Sequence, residues 1–502
     1  MKNADLRKWW ILFSLTFGIL AVSLDMTILN VALPTLAADL VASTGQLQWF
    51  ANSYNLVLAA ALLPAGLLGD RYGRKKMLLF ALALFGAASV GCAVADSSDM
   101  LIVMRAFLGL GSAFLIPLSM SILPVLFEGA ERAKAMTLWA MANMLGIPLG
   151  PIVGGWLLKH YEWGSVFYIN LPLVAIALFA VSALMPESRS SERPRIDLFG
   201  IVCSSVGLTA LSFGIIRGGE EGWGDTTSIF TIVAGALGLA LFAIWQRRSK
   251  HPLIDLSLFR MPGFTWGAIL ATLVSCAMFG LLFVLPQFFQ AISGSDSLDT
   301  GLRLLPLIGG LIVGAKIADA LNKKIGLKVT AAIGFAFLSA GLAIGAATDT
   351  GSGYGFVVIW VIIAGLGLGL ALPTAMSAAL DVLTAERSGV GSALIMALRQ
   401  VGGVIGVALL GAALNDAYIR GLNLDGLPGD IASKIERSVT SGIAVATKLN
   451  ANDLLNNVRH SFVNGMSSLL WICGGIALLG AILALAFLPR RMSSSSNSDI
   501  AL

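Results

Sequence analysis

Long apolar runs alternate with short polar segments along the whole chain. A run of about 18 or more apolar residues is long enough to cross a bilayer as a helix. We expect fourteen membrane-spanning helices, and therefore an all-α polytopic membrane protein. The predicted spans are 9–33, 47–69, 77–96, 101–125, 134–158, 164–185, 197–217, 226–246, 263–290, 299–320, 326–347, 352–380, 390–414 and 463–488.

The composition agrees with this pattern. Of the 502 residues, 57% are hydrophobic and 12% are charged, whereas soluble domains carry about 25% charged residues. The four cysteines lie far apart and form no CxxC or Cys/His cluster, so we predict neither a disulfide framework nor a metal site. His160, His251 and His460 all fall in predicted loops. A histidine proton relay at membrane depth is therefore not expected.

Basic residues concentrate in alternate loops, which predicts the orientation. The segments 71–76, 247–250 and 323–328 collect Lys and Arg, as cytoplasmic loops do. We expect both termini in the cytoplasm and the chain in the cytoplasmic (inner) membrane. The long outer loop 417–460 contains helix-like stretches at 429–448 and 451–460, and it is either a lid or a tether.

A weak internal repeat predicts two related halves. GLGSAFLIPLSMS begins at Gly109 and GLGLGLALPTAMS begins at Gly365. Paired halves are typical of secondary transporters, which bind substrate between them near the midplane. We predict an N-terminal six-helix bundle, a central two-helix insertion with linkers, a C-terminal six-helix bundle and a cytoplasmic tail: 1–186, 187–262, 263–488 and 489–502.

Asp25 lies about fifteen residues into the first apolar run. An ionisable side chain at this depth costs roughly 2.5–3.5 kcal/mol on insertion scales, so such residues usually have a partner or line a pathway. Arg105 begins the fourth span at a compatible depth. The pair is either a proton-exchange site or a permanent salt bridge that locks two helices.

Several motifs follow one another in the N-terminal third. They are LDMTILNVALP from Leu24, GLLGDRYGRKK from Gly66, Arg105 with Gly109 and Gly111, LGIPLGPIVGG from Leu145 and WGSVFYINLP from Trp163. In this order they resemble the motifs of the major facilitator superfamily, and within it those of the 14-helix drug:proton antiporters of the quaternary ammonium and methyl viologen resistance type.

The resemblance implies a major facilitator fold and assigns roles to individual positions. Asp25 and Arg105 match the proton-coupling positions. The matching cytoplasmic gating motif comprises Gly66, Asp70, Arg71, Gly73 and Arg74. The matching antiporter motif comprises Gly146, Gly150, Pro151, Gly154 and Gly155. Small residues at this spacing also let helices approach closely, so the last motif is a packing seam, a seal or both.

Candidate substrate contacts combine one acid, one base, an amide and a soft aromatic wall. Aromatic faces attract quaternary ammonium groups, whereas an arginine at membrane depth without a nearby acid needs a carbonyl or a polar substrate group. The candidates are Asp25, Met26, Trp49, Tyr54, Asn143, Phe279, Phe283 and Arg399.

We therefore expect a proton-coupled antiporter that exports amphiphilic, cationic drugs or antiseptics by alternating access, with Asp25 binding either a proton or substrate. The alternative is a dedicated exporter of one endogenous metabolite, antibiotic or lipid-like molecule, which Arg399 favours. A non-transporting sensor is a third hypothesis. No phosphate-binding loop or nucleophile–base arrangement is present, so we expect no enzyme and no cofactor, with the proton gradient as driving force. The expected partners are amphiphilic small molecules, protons and lipid, with no nucleic acid, and we expect a monomer.

Overall fold

The computed structural model describes residues 2–127, 129–188, 197–249, 252–254, 256–383 and 385–488. Helices account for nearly all of these ranges, and no strand occurs within them. An apolar bilayer offers no hydrogen bonds to the backbone, so spanning segments satisfy their own amides as helices. The predicted all-α class is confirmed.

The first part of the chain forms seven helices. Ser43 begins the second of them with a capping box to Gln46, and Ser97 caps the fourth through the amide of Met100. The helices are α1 (Lys2–Asp39), α2 (Thr44–Tyr72), α3 (Arg74–Ala93), α4 (Ser98–Leu126), α5 (Gly129–His160), α6 (Ser165–Tyr168) and α7 (Asn170–Leu184).

The remaining helices follow after the 189–196 segment, which lies outside the described residues. The predicted insertion contains α8 (Leu198–Glu221) and α9 (Thr226–Arg248). Next come a 3-10 turn (Leu256–Arg260), α10 (Pro262–Gln287), a π-helical turn (Phe288–Ile292), α11 (Ser297–Arg303), α12 (Leu305–Ile325), α13 (Leu327–Gly345), α14 (Tyr354–Leu380), α15 (Ala385–Gly421), α16 (Gly429–Arg437), α17 (Val439–Lys448) and α18 (Asn452–Phe487).

The predicted number of spans agrees with the structure. Thirteen described helical segments are long and apolar enough to cross a bilayer, and the bent pair Thr44–Leu62 and Pro64–Tyr72 within α2 makes fourteen. The bend of 52° lies beside Pro64, which lacks the amide hydrogen that a continuous helix requires.

The predicted outer loop and the predicted position of two histidines are wrong in detail. Helix α15 continues to Gly421 and α18 begins at Asn452, so the segment between them is shorter than 417–460. As a result His460 lies inside α18, and His160 is the last residue of α5, while His251 lies outside the described residues. Helices α5, α15 and α18 each extend beyond the apolar run that predicts them, and hydropathy alone does not detect such polar extensions.

Two clusters of buried apolar side chains organise the packing. One draws mainly on residues 11–185 and the other mainly on residues 258–488. Three residues pack in the cluster formed mainly by the other part of the chain. Val31 of α1 packs in the second cluster, and Phe283 and Val407 pack in the first. The clusters therefore interlock, although the exact domain boundaries at 186 and 262 stay a prediction.

Contacts between the two clusters gather at the end of the bundle that carries Asp39 and His160. Lys159 pairs with Asp296 at 2.8 Å, and the Gln290 amide donates to the Val31 carbonyl at 3.0 Å. The backbone amide of Asp299, and then the Lys159 ammonium, hold the pKa of the Asp296 carboxyl below its usual value. This ion pair therefore persists at neutral pH, and we refer to these contacts as the closed end.

Helix α8 lies beside this closed end and contacts both clusters. Its Gly219 carbonyl accepts from the Asn415 amide of α15 at 3.0 Å. One oxygen of Glu220 accepts from Ser43 Oγ at 2.7 Å and from the Gly45 amide of α2 at 3.1 Å. The predicted insertion is thus attached at this end to helices from both parts of the chain.

The closed end depends on glycines that let backbones meet. A Cβ at Gly301 of α11 would collide with the Pro151 carbonyl of α5, whereas nothing lies within 4 Å of a Cβ at Gly309. Overpacking costs about 1–3 kcal/mol. We expect Gly301→Leu to lower the melting temperature of the detergent-purified protein, and Gly309→Leu to leave it nearly unchanged. Equal losses for both variants would contradict this account of the seam.

Candidate functional site

The acid and the base predicted at membrane depth form an ion pair. Asp25 lies on α1 and Arg105 on α4, and Arg105 Nη1 is 2.5 Å from Asp25 Oδ2. The exposed fractions of the two residues are 0% and 1%. Bringing two charges out of water costs several kcal/mol per ion, so the pair requires further hydrogen bonds.

Neighbouring helices supply those hydrogen bonds. Arg105 Nε donates to the Phe50 carbonyl of α2 at 3.0 Å, and its guanidinium lies 4.6 Å from the centre of the Tyr54 ring. The amide of Asn170 on α7 is 3.4 Å from the second oxygen of Asp25. The ion pair therefore joins side chains and backbone from four helices.

Asn170 links the ion pair to α3 as well. Its amide nitrogen lies 3.2 Å from Ser89 Oγ, and its own carbonyl oxygen is buried without a hydrogen-bond partner among the described residues. Asn170 lies within the motif that begins at Trp163, but the motif alone assigns this amide no role. A polar residue at a fixed place in an otherwise apolar span was the signal that could have identified it.

The ion pair is enclosed in the first cluster and does not border an open chamber. Asp25 is fully buried in this conformation, and direct contact between its carboxylate and substrate stays a prediction. Tyr54 is also buried, and its ring packs against Arg105. Its hydroxyl donates a hydrogen bond to Ser112 Oγ at 2.7 Å. It supports the ion pair and is not part of an exposed aromatic wall.

The other aromatic candidates do not converge on one surface. The Trp49 ring packs 6.4 Å from Phe213 of α8, and Phe283 is buried in the first cluster. Phe279 is half-buried, and a Cβ at Gly403 would meet its ring. A single sequence does not show which face of each helix a ring occupies, and a substrate-binding role for these aromatic residues stays a prediction.

Two further candidates lie on α1 and α5. Met26 is half-buried against the first cluster. Asn143 accepts a short hydrogen bond from Ser23 Oγ. The Asn143 oxygen is thus used between helices, which leaves its role in substrate binding a prediction.

Arg399 lies on α15 among partly exposed neighbours. Its Nε donates to Ser275 Oγ of α10 at 3.2 Å, and its Nη1 lies 3.8 Å from Met376 Sδ of α14. Among the described residues no carboxylate pairs with it. It is therefore a cation held by neutral groups.

The residues of the antiporter motif form a close seam. Cβ atoms at Gly146, Gly150 and Gly154 would collide with α1 at Ser23, Thr27 and Ile28. Thr27 Oγ1 lies 3.2 Å from the Gly146 carbonyl. A Cβ at Gly155 would instead meet the Ser297 carbonyl of α11. The motif thus holds α5 against α1 and, at the closed end, against the second cluster.

The gating motif makes local contacts. Arg74 donates twice to one oxygen of Asp70, at 3.0 and 2.8 Å, and the Lys75 amide donates to Glu187 at 3.1 Å. Gly73 has φ +112°, and a Cβ there would meet the Glu187 carboxyl. The Arg71 guanidinium lies 5.6 Å from the Tyr72 ring, and nothing lies within 4 Å of a Cβ at Gly66. None of these contacts reaches the predicted C-terminal bundle.

Comparison with known sequences identifies the family. The profile of the Major Facilitator Superfamily matches residues 15–407. The chain belongs to the Major Facilitator Superfamily. This match includes both members of the ion pair, the gating and antiporter motifs and Arg399, and it confirms the resemblance that the motifs indicated.

Two relatives of this superfamily member are named as resistance or export proteins. It is 31% identical over 492 residues to the tetracenomycin C resistance and export protein of Streptomyces glaucescens, covering 95% of this chain and 91% of that protein. It is 29% identical over 489 residues to the methyl viologen resistance protein SmvA of Salmonella typhimurium, covering 95% and 97%.

A solved structure shows the same fold. A bacterial homologue of the human lysosomal transporter Spinster, crystallised in an inward-facing and unoccupied conformation, aligns with a TM-score of 0.69. The alignment covers 96% of this chain and 98% of that chain at 15% sequence identity. The predicted major facilitator fold is confirmed.

The burial of the ion pair leads to a prediction about the melting temperature of charge-removing variants. Removing one partner of a buried pair costs about 3–5 kcal/mol, because the other charge remains uncompensated. We expect Arg105→Gln to lower the melting temperature strongly and Asp25→Asn combined with Arg105→Gln to recover part of the loss. The exposed pair Lys323–Asp319 is the control, since Lys323→Gln should change little. Additive effects of Asp25→Asn and Arg105→Gln would show that the two charges do not depend on each other.

Proposed function

We propose that this chain is a proton-driven exporter of amphiphilic drugs or antiseptics, acting by alternating access across the cytoplasmic membrane. The family and the resistance proteins among its relatives support export. The observation that carries the coupling is the ion pair between Asp25 and Arg105, which places a proton acceptor inside an apolar bundle.

Protonation of Asp25 would change the balance of forces on α1. A neutral carboxyl no longer compensates Arg105, and a buried unpaired guanidinium is strongly unfavourable. Protonation therefore favours an arrangement in which α1 and α4 separate enough for Arg105 to reach water or another acceptor. The Phe50 carbonyl alone does not replace the lost charge.

Helix α1 also carries the contacts that close one end of the bundle. Thr27 and Ile28 lie against the antiporter motif of α5, and the Val31 carbonyl accepts from Gln290 of the π-helical turn. These residues lie within two turns of Asp25 on the same helix. A shift of α1 on protonation would thus reach the closed end through one rigid element.

The charge distribution supports the proposed orientation. With basic loops in the cytoplasm, both termini are cytoplasmic and the closed end faces outward. Glu131, which pairs with Lys8 at 2.6 Å, then lies at the cytoplasmic end. The protein works as a monomer in the lipid bilayer and needs no cofactor.

Asp25 serves in this proposal as the proton carrier, and substrate acts on it through helix movement. Exchange of one proton for one monovalent cation moves no net charge. Such exchange would be driven by ΔpH, at about 1.4 kcal/mol per pH unit. A membrane potential contributes about 2.3 kcal/mol per 100 mV for each net charge moved.

A second candidate is a dedicated exporter of one compound. The specific observation in its favour is the relative from Streptomyces glaucescens, which is named for resistance to and export of a single compound, tetracenomycin C. A resistance profile limited to one molecule would support this candidate, whereas protection against several unrelated amphiphiles would support multidrug export.

Efflux measurements test the proposal. We expect inverted vesicles containing the wild-type protein to accumulate ethidium and quaternary ammonium compounds when a proton gradient is present, and to lose them when a protonophore is added. Asp25→Asn should reduce proton-driven transport at least about tenfold, since it removes the titrating group, while Lys323→Gln should transport normally. Full activity of a well-folded Asp25→Asn protein would refute the coupling role of this carboxyl.

A further inference from the structure

Arg399 is a charged side chain at membrane depth that the proposed coupling does not use. It lies fourteen residues after the start of α15 at Ala385 and more than twenty before the end of this helix at Gly421. The Asp25 and Arg105 charges compensate each other, whereas no carboxylate among the described residues pairs with Arg399. The interior that the structure describes therefore carries an uncompensated positive charge.

The position of the Arg399 guanidinium makes it accessible to a ligand that enters the space between the helices. Arg399 reaches from α15 to Ser275 of α10 and to Met376 of α14. Helices α14 and α15 otherwise have few contacts with each other. Arg399, Gln400 and Met376 are all partly exposed, so the arginine borders an opening and is not sealed in a core.

The present neighbours do not satisfy a guanidinium. Arginine has five N–H donors in a planar fork that matches the two oxygens of a carboxylate. Here one donor reaches a hydroxyl, and Nη1 is near a thioether, which is a weak acceptor. A purely structural arginine at this depth would be expected to bond to carbonyls or an acid, because unsatisfied charge in the membrane is costly.

We propose that Arg399 binds a carboxylate of the exported amphiphile, with Ser275 holding the guanidinium in place and Met376 contacting the apolar part of the molecule. This inference rests on the proposed export function and specifies its substrate class. It also refines the expectation from the sequence: Arg399 favours a zwitterion or an amphiphilic anion over a simple cation, so cations such as ethidium should be exported but bound less tightly.

The proposal has a consequence for the driving force. If one proton enters for each molecule exported, exchange for a monovalent cation moves no net charge. Exchange for a neutral zwitterion moves one charge inward, so an inside-negative potential drives it. The two substrate classes are therefore distinguished by their response to membrane potential.

A matched pair of fluorescent probes tests the binding site. A rhodamine with a free carboxyl is a zwitterion, and its methyl ester is a cation with the same ring system. We expect the purified wild-type protein to bind the free-carboxyl form more tightly than the ester. Arg399→Gln should weaken binding of the free-carboxyl form about tenfold to a hundredfold, as the loss of a charge-assisted bond does, and should leave the ester unchanged or slightly tighter.

Two further variants separate charge from structure. Arg399→Lys retains the charge without the planar fork, so it should keep a reduced preference for the carboxyl form. Lys323→Gln removes an exposed charge from the same part of the chain and should bind both probes like the wild type. Melting temperatures establish that each variant is folded before its binding is compared.

The outcomes distinguish this inference from the proposed function. It is overturned if wild type binds the ester as tightly as the carboxyl form, or if Arg399→Gln weakens both probes equally. In proteoliposomes, a potential without a pH gradient should drive export of the carboxyl form and not of the ester. Proton-driven export of the ester alone would leave the proposed function intact and refute the carboxylate site. If no amphiphile is exported by a proton gradient but carboxyl-selective binding is retained, only the proposed function is refuted.

Discussion

The ion pair between Asp25 and Arg105 is the interaction on which the N-terminal part of this transporter depends. It lies without solvent where α1, α2, α4 and α7 meet, and each partner is stable only because the other is charged. An apolar bundle packs well in many arrangements. A buried charge pair with directional hydrogen bonds selects one of them, and in the proposed mechanism a single proton changes that selection.

The closed end shows how such a local change reaches distant contacts. Glycines at 146, 150 and 154 bring α5 against α1 so closely that side chains leave no room for sliding, and Gly155 continues the contact to α11. Helices α1 and α5 are therefore expected to move together. Val31, which packs in the second cluster, and Phe283 and Val407, which pack in the first, add apolar contacts between the two clusters, which must separate when this end opens.

Much of this could be predicted from the sequence, because bilayer thickness fixes the length of each apolar run and the cost of intramembrane charge marks Asp25 and Arg105. Other features depend on helix rotation, which a single sequence does not reveal. Trp49 faces α8, Tyr54 lies beneath Arg105, and Asp25 is enclosed rather than open to a chamber. The hydropathy pattern does not predict that α18 begins as early as Asn452, because the first turns of this helix are polar.

The attachment of α8 to both parts of the chain makes the two sides of the closed end unequal. Separation of α2 from α15 has to break the bonds of Glu220 to Ser43 and Gly45 or the bond of Asn415 to Gly219, in addition to the direct interface. On the opposite side, α5 meets α11 directly, and α1 contacts both of these helices. In the proposed transport cycle, the side of this end that carries α8 would therefore separate last and serve as the hinge, while α5 and α11 part first.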